Sequence, residues 1–344
     1  MSLIDQELMK TGGPSEAFIL SQLTYLQGLY SGRNAEYATL RTRFDGSGSD
    51  SGDKKPTLMQ DRPKLTYNII NATIRRYMDS MSQPPRIEGV PEGFDPEDVA
   101  AADVRSKWLD YVWQDNNMGT LITMGAFNQA LFDKSVFMVR PAPLKKSGLK
   151  IELIVPEYFY PMPSGDDWFH NPFVLIAFRC FDGNKFGTDF DPLKTQIDPQ
   201  FNNKVIFLSE NHYIEIENGK EKLRIQHDWG FIPVAVAHNI AIPHRHRGQG
   251  DVDQVLGLQQ YLNMMFSDMA DICNYAANPI AVVRGSKAGG ANLPFAPRAV
   301  WELERDAQVG FLQWSGTPPA FETQLLRTIQ AIEDGTGVSS PAFG

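Results

Sequence analysis

Apolar residues in the first third of the chain recur at intervals of three and four, a spacing typical of amphipathic helices. The pattern predicts four helices, over residues 15–30, 67–82, 95–114 and 120–132. Ser15 is the expected cap of the first helix and Gly32 its stop, while Asp95 and Pro96 suit the start of the third. The third helix carries an apolar stripe of Val99, Ala102, Val104, Trp108, Leu109 and Val112. Residues 45–53 hold three glycines and no apolar anchor, which predicts an exposed loop.

Residues 135–140, after the fourth helix, predict a strand. Between residues 150 and 238 the pattern changes to short β-branched and aromatic runs separated by turn residues. These runs predict the strands of an antiparallel sheet, over residues 150–155, 173–181, 204–208, 213–217 and 221–226. Asn218-Gly219 stands between two of them and predicts a type I′ hairpin turn, because both central positions of that turn need positive φ. Residues 187–203 are expected to form a surface excursion.

Helical periodicity returns over residues 251–276, opened by Gly250-Asp251. The apolar positions of this long helix are Val252, Val255, Leu258, Leu262, Met265, Met269 and Ile272. Extended segments follow at 279–284, 299–304 and 310–314. A last helix begins at 317 and is stopped by Asp334-Gly335. The predicted fold class is therefore α+β, in which a helical and β part is followed by two helices that flank a small β insert.

Composition narrows the function classes. The 344 residues contain 32 Lys plus Arg against 41 Asp plus Glu, so the net charge of −9 argues against a surface that grips DNA or anionic lipid everywhere. No run of eighteen apolar residues would span a bilayer, and the start of the chain lacks the pattern of a signal peptide. The two cysteines, Cys180 and Cys273, form no C-x-x-C pair, which favours free thiols in a reducing compartment. Secreted, membrane and disulfide-built classes are excluded.

Candidate chemistry is sparse. His238, His244 and His246 cluster, but Pro243 and the neighbouring arginines favour a basic surface loop over a metal site, and such a loop suits a phosphate backbone or an acidic partner. His227-Asp228 has no nucleophile beside it and is interpreted as the end of a hairpin. The glycine clusters at 285–290 and 335–337 match no nucleotide-binding motif. We therefore expect no catalytic residue, no metal and no cofactor.

The long helix is unusual in its charge. Its ionisable side chains are mainly acidic (Asp251, Asp253, Asp268 and Asp271), with no Lys or Arg in 26 residues. A solitary helix in water normally mixes charges of both signs. Two interpretations remain open: a core helix of a globular domain, or a helix that packs against copies of itself with its acids facing a shared space.

Several segments together resemble the portal proteins, or head-to-tail connectors, of tailed bacteriophages. Residues 229–234 resemble the end of the portal wing sheet, and 248–263, with Gly248, Gly250 and Asp251, resemble the start of the first stem helix. Residues 278–285 are similar to the strand that leads into the clip, and 325–343 to the second stem helix and the tunnel loop. The upstream segments 67–71 and 125–141 resemble wing helices and the strand after them.

The resemblance implies a wing at 1–248, a first stem helix at 249–277, a clip at 278–316, a second stem helix at 317–335 and the start of a tunnel loop at 336–344. Family members continue into a further wing helix and a crown, which this sequence is expected to lack. The implied function is a homo-oligomeric ring, typically a dodecamer, at one vertex of the capsid in the virion, with assembly in the host cytoplasm. Double-stranded DNA would pass through it, and the terminase large subunit, head-tail adaptor or tail proteins and the major capsid or scaffold protein would dock on it.

The resemblance also assigns residues. Candidates for the DNA channel and the clip are Arg284, Lys287, Arg298 and Arg327. The tunnel loop would contain Gly335, Thr336, Gly337, Val338, Ser339 and Ser340. Stem packing would use Val255, Leu258, Leu262, Met265, Met269, Phe321, Leu325 and Ile329. Two other functions are kept open: a phage-encoded hydrolase with an unrecognised site, and a monomeric α+β adaptor or scaffold protein.

Overall fold

The computed structural model describes eleven segments of the chain. The described residues are 3–8, 12–45, 68–81, 87–93, 95–164, 171–181, 201–242, 248–277, 280–284, 308–312 and 319–336. The chain divides into two compact units, the first made of Met1–Gly48 and Ile70–Gln254 and the second of Ser49–Ile69 and Val255–Gly344. The fold is α+β, as the sequence predicts.

Six helices precede the first strand: α1 (Leu3–Leu8), α2 (Glu16–Leu29), α3 (Ser31–Asp45), α4 (Ile69–Ser80), α5 (Pro96–Asp115) and α6 (Met118–Phe132). Ser15 is the N-cap of α2, since its Oγ accepts a hydrogen bond from the Phe18 N–H at 3.3 Å, and Pro96 occupies the first turn of α5. The four predicted helices are thus confirmed. Gly32 is not a stop, however, because the chain turns at Tyr30 and continues at once into α3, which the sequence analysis missed.

The apolar stripe predicted for α5 is only partly buried. Ala102 and Val112 lie in the interior, but Val99, Val104 and Trp108 are exposed, Val104 by 66%. The exposed loop predicted at 45–53 lies almost entirely outside the described residues.

The first unit contains two antiparallel sheets where one was predicted. The strands are β1 (Lys134–Pro141), β2 (Leu149–Ile154), β3 (Phe159–Pro161), β4 (Phe173–Phe181), β5 (Phe201–Ser209), β6 (His212–Glu217), β7 (Lys220–Gln226) and β8 (Val234–His238). One sheet has the order β2-β1-β8 and the other the order β3-β4-β5-β6-β7. All six predicted strands are present, whereas β3 and β8 were not predicted.

The hairpin between β6 and β7 confirms the predicted turn, because Asn218 and Gly219 have φ values of 51° and 77°. The excursion predicted at 187–203 lies outside the described residues as far as 200, and its last three residues belong to β5.

The five-stranded sheet forms the middle layer of the first unit. On one face, alternate residues of β4 such as Phe173 and Leu175 pack against Ile19 and Leu26 of α2. On the other face, the intervening residues such as Val174 pack against the three-stranded sheet. Because successive side chains of a strand point to opposite faces, one strand supplies both cores. The layers are a helix, the large sheet and the small sheet.

The second unit contains α7 (Leu256–Ala277), β9 (Ile280–Arg284), β10 (Gln308–Leu312) and α8 (Pro319–Thr336). β9 and β10 pair antiparallel, which confirms an extended insert between two helices. The start of α7 is corrected, because residues 251–255 form turns and the helix begins only at Leu256. The extended segment predicted at 299–304 lies outside the described residues. Among the described helices, none has the length and apolarity needed to cross a membrane.

Candidate functional site

The helix pair α7 and α8, with the strand pair between them in sequence, is the candidate functional element. The two helices run antiparallel. A Cβ at Gly335, near the end of α8, would lie 3.1 Å from Cγ1 of Val255, just before α7. Farther along α7, the Thr328 hydroxyl contacts Sδ of Met265 at 4.0 Å. Because α7 positions increase as α8 positions decrease, the chain leaves and re-enters this pair at the same end.

An apolar seam holds the helices together. Val255, Leu262 and Ile332 are almost completely buried, and Ile69 joins them. Partly buried apolar residues pack around this cluster, namely Leu258, Phe266, Leu325 and Ile329. Of the eight positions assigned to stem packing, five therefore belong to the seam and Met265 is buried beside Thr328. Met269 and Phe321 are half-buried.

Two buried amides run along the same side of α7. The Gln259 side chain donates from Nε2 to Oδ1 of Asn263 at 3.1 Å, and its Oε1 accepts the backbone N–H of Ile69 at 3.2 Å. Buried polar groups are costly unless they are hydrogen-bonded, so the Gln259–Ile69 contact fixes the position of α7 against Ile69.

The opposite side of α7 faces outward. Tyr261, Met264 and Asp268 are exposed and lie on one helical face, at spacings of three and four. Asp251 and Asp253 do not belong to the helix, since they lie in the turns before it and in the first unit. Asp253 there accepts the Gly250 N–H at 3.1 Å, and burial raises the pKa of Asp251. The acidic character expected of the whole helix therefore belongs to its C-terminal half.

The four channel candidates are distributed unevenly. Arg327 is exposed on α8. Arg284 ends β9, where its backbone pairs with Gln308 of β10, while Lys287 and Arg298 lie outside the described residues. Of the four candidates, Arg327 is the one whose side chain the structure describes.

The tunnel-loop assignment is corrected at its beginning. Gly335 and Thr336 belong to α8, and the Thr336 hydroxyl donates to the Ile332 carbonyl at 2.9 Å as a helical residue does. Residues 337–340, with Gly337, Val338, Ser339 and Ser340, lie outside the described residues.

The segment that precedes α7 is anchored on a buried carboxylate of the first unit. Asp133 adopts φ of 90° after α6; its Oδ1 accepts the Tyr37 hydroxyl and its Oδ2 the Gly248 N–H, each at 2.5 Å. Lys134 lies beside it, with Nζ 3.7 Å from Oδ2, and burial lowers the pKa of Lys134 to about 8 while Asp133 opposes the shift. A Cβ at Gly248 would lie 2.5 Å from the Ile240 carbonyl oxygen. Close packing against the Ile240 backbone therefore explains why residue 248 is a glycine.

Among the described residues, none forms a catalytic dyad with His227. Its ring stacks on Trp229 at 3.9 Å between centroids, and neither of its nitrogens has a hydrogen-bond partner in the described structure. His238 is exposed, and His244 and His246 lie outside the described residues. Among the residues that the structure describes, no three His, Cys, Asp or Glu side chains are grouped as metal ligands.

Comparisons with known proteins add little to this geometry. No family model matches the chain, and no curated protein matches it in sequence. Among solved structures, the chain is similar to a component of the virion of a native gene transfer agent particle, with 12% sequence identity and a TM-score of 0.47. The similarity covers 89% of this chain and 75% of that one. At this TM-score, nothing about function follows from the likeness.

Proposed function

We propose that the chain is a structural subunit of a bacteriophage virion, and specifically a portal subunit that forms a ring at one capsid vertex. The observation that carries the proposal is the antiparallel pair α7 and α8, which brackets the β9–β10 strand pair in a unit of its own. The segments that resemble a portal stem and clip in sequence coincide with these elements.

A ring wall needs rods that keep their length and orientation. The buried seam around Leu262 holds the two helices together, while their outer faces keep exposed apolar side chains such as Tyr261, Met264 and Leu326. Exposed apolar side chains on the outside of a packed helix pair suit contact with a neighbouring subunit. The proposed neighbour is a second copy of the same chain, in a ring that is typically dodecameric.

In the proposed channel, a mainly neutral or acidic wall is combined with a few cationic side chains that contact the double-stranded DNA. A wall that is mainly neutral or acidic does not hold a polyanion, so a few cations suffice for local phosphate contacts. Arg284, Lys287, Arg298 and Arg327 are the proposed cations, and residues 337–340 the proposed loop beside the DNA. No catalytic step is assigned to the chain, since the motor activity would belong to the terminase large subunit.

The proposed partners follow from a position at the capsid vertex. One face of the ring would receive the terminase during packaging and later the head-tail adaptor or tail proteins, and its rim would contact the major capsid or scaffold protein. The proposed location is thus the virion, with assembly in the host cytoplasm.

Native mass spectrometry of the full-length protein tests the ring. The proposal predicts one dominant species with a mass close to twelve times that of the subunit, and at least a closed oligomer. A single-subunit mass at all salt concentrations would contradict it and would favour the monomeric adaptor. Hydrolytic activity that is lost in His227→Ala would instead favour the hydrolase.

Charge-reversal variants distinguish a role of these cations in the DNA channel from a role in a subunit interface. In phage assembled with Arg327→Glu or Lys287→Glu subunits, we expect rings in normal yield but reduced retention of packaged DNA, because a phosphate contact becomes a repulsion. Glu322→Lys, an exposed position on α8 with the opposite change of sign, is the control. Equal loss of rings and of DNA would show that the cations belong to a subunit interface.

A further inference from the structure

Two buried histidines lie at the same end of the β6–β7 hairpin. His212 is the first residue of β6 and is 4% exposed, and His227 directly follows β7 and is 7% exposed. The strand register pairs His212 with Gln226, and the His227 N–H donates to the Asn211 carbonyl at 2.9 Å. Within the described structure, none of the four ring nitrogens has a hydrogen-bond partner. Two buried rings without hydrogen bonds are costly, so this end of the hairpin is a point of low stability.

A short segment between α1 and α2 packs on one of these rings. It consists of Gly12, Gly13 and Pro14 and is called the strap below. Gly12 and Gly13 have φ values of 106° and 80°, a conformation that suits glycine. A Cβ at Gly13 would lie 2.6 Å from Cδ2 of His212. The strap backbone is therefore one wall of the space that holds the His212 imidazole.

The Arg224 side chain on β7 ties the strap down. Its Nη1 donates to the Gly12 carbonyl, and its Nη2 donates to the Pro14 carbonyl at 3.1 Å. His212, by contrast, stands on a strand that is paired on both sides, with β5 and with β7. Opening the strap breaks two hydrogen bonds and one backbone contact, whereas moving β6 would break a sheet. If one of the two must move, it is the strap.

The position of α1 depends on the strap. α1 has six residues, and a helix of that length has little stability of its own in water. Its Ile4 and Leu8 are partly buried against the core between α2 and the five-stranded sheet. The strap fixes the chain between this contact and α2. An open strap would therefore leave α1 with those two apolar contacts and no polar tether from Arg224.

The cationic groups near His212 oppose its protonation. Burial lowers the pKa of His212, and Arg224 and His227 act in the same direction. A proton on the closed ring would thus place a positive charge beside a guanidinium, in a space where the described structure offers the ring no acceptor.

The acidic groups on the surrounding elements are engaged with other partners. On β7, Glu221 accepts a hydrogen bond from Nε of Arg224 at 2.9 Å, and on α2 Glu16 accepts the Glu221 N–H at 3.0 Å. Asp228 acts on His227, whose pKa it raises against the effect of burial. Glu7 on α1 and Glu210 before β6 have interactions of their own. A protonated His212 is thus left with the strap side as its way to water.

We propose that the strap is an acid-sensitive device, which closes over His212 while the ring is neutral and opens when the ring takes up a proton, so that α1 is released from the core. Water then supplies the acceptors that the closed state lacks. Because the open state binds the proton more tightly, a fall of pH through the ordinary pKa of histidine, about 6.5, favours opening. The device lies in the first unit and does not depend on the proposed ring.

Hydrogen exchange of the full-length protein, measured by mass spectrometry from about pH 8 to 5 and corrected for intrinsic rates, tests the device. Protection of the peptides that cover α1 and the strap should fall by up to about tenfold for each pH unit below about 6.5. Protection of β4 and β5 should stay constant. Unchanged protection of the strap at pH 5, or an equal loss in the strap and the sheet, would overturn the proposal.

Histidine variants assign the effect to one ring. His212→Gln is neutral over this pH range, so the strap should stay protected at pH 5. His238→Gln removes an exposed histidine and should show the same loss as the wild type. A loss of equal size in both variants would assign the opening to other groups and would overturn the proposal.

A pair of glycine variants tests the closed contact itself and decides the matter if His212→Gln does not fold. Gly12→Ala and Gly13→Ala share the strain of a positive φ, but only the methyl group at position 13 meets the His212 ring, since a Cβ at Gly12 has no atom within 4 Å. At about pH 7.5 the strap and α1 should be at least about tenfold less protected in Gly13→Ala than in Gly12→Ala, with the sheet unchanged. Equal protection in the two variants would show that the strap does not close on the ring.

Discussion

The two units of the molecule are stabilised in different ways. The first unit buries both faces of a five-stranded sheet and satisfies charged groups in its interior, such as Asp133 with Tyr37 and Gly248. The second unit, in its described part, relies on one apolar seam between two helices and a pair of strands. A helix pair buries only one side of each helix. The first unit therefore covers both faces of its large sheet, whereas the described helices of the second unit leave one side of each helix uncovered.

The glycines just before α7 and the glycine in its first turn differ in the space around them. A Cβ at Gly248 or Gly250 of the first unit would approach a backbone carbonyl oxygen to 2.5 or 2.8 Å. A Cβ at Gly257 in α7 would meet no atom within 4 Å. Gly248 and Gly250 are therefore closely packed, whereas Gly257 lies on the exposed side of α7.

The largest predicted effect comes from Leu262→Asp. Leu262 is 0% exposed in the seam, so the variant buries a charge without a partner and should lose on the order of 4 kcal/mol or more of stability in the second unit. Hydrogen exchange measured by mass spectrometry should show fast exchange throughout α7 and α8 and unchanged protection of the sheets. Leu326→Asp, 60% exposed on α8, is the control and should cost about 0.5 kcal/mol or less. Retained protection of α7 in Leu262→Asp would show that the seam is not the core of this unit.

The next effect contrasts two glycine variants. Gly248→Ala should destabilise the first unit by about 1–3 kcal/mol, because the added methyl group clashes with the Ile240 carbonyl. Gly257→Ala should instead stabilise the second unit by up to about 1 kcal/mol, since alanine favours the helix and meets open space. Denaturant unfolding, monitored by hydrogen exchange, measures the stability change in both variants. Changes of the same sign would contradict the packing contrast.

A pH effect is predicted for the first unit alone. His212 is buried against Gly13, with Arg224 and His227 as the nearby cationic groups, and neither of its ring nitrogens is hydrogen-bonded within the described structure. Burial lowers the pKa of His212 and of His227, whose neighbour Asp228 opposes the shift. The unfolded chain then binds more protons, so stability should fall as pH drops below about 6.5.

The matched variants for this effect are His212→Gln and His238→Gln. The first should flatten the loss of stability between pH 7 and 5, measured by thermal unfolding, whereas the second removes an exposed histidine and should leave the slope unchanged. A slope that is the same in both variants would assign the pH dependence to other groups.

Local signals explain which elements could be predicted. Three predictions that rest on a few neighbouring residues are confirmed: the Ser15 cap, the Asn218-Gly219 turn and the helical period of residues 256–276. The start of α7 was misplaced, because Val252 continues the helical period but lies in a turn, where its backbone N–H donates to the Ala130 carbonyl at 3.5 Å. Gly32 stands inside α3, where a Cβ would meet nothing, so its identity gives no sign of a helix end.

Features that depend on contacts between distant parts of the chain could not be predicted from the sequence. Asp133 finds its partners at Tyr37 and Gly248, about a hundred residues away in each direction, and no spacing rule connects them. The split into two sheets likewise depends on which strands pair across the chain, as β8 does with β1 about a hundred residues earlier. In the candidate element, the apolar seam followed from periodicity, whereas the end of α8 did not, because Gly335 remains helical against Val255.

The most direct test of the proposed assembly is electron microscopy of the purified full-length protein, with class averages viewed along the symmetry axis. If the protein is a portal subunit, we expect annular particles with a central opening and rotational symmetry, close to twelvefold. Leu262→Asp should abolish these particles, because it disrupts the helix pair itself. Leu326→Asp should leave the helix pair folded, so any effect on the particles would come from the contacts between subunits. Isolated compact particles of single-subunit size in the wild-type protein would contradict the portal assignment.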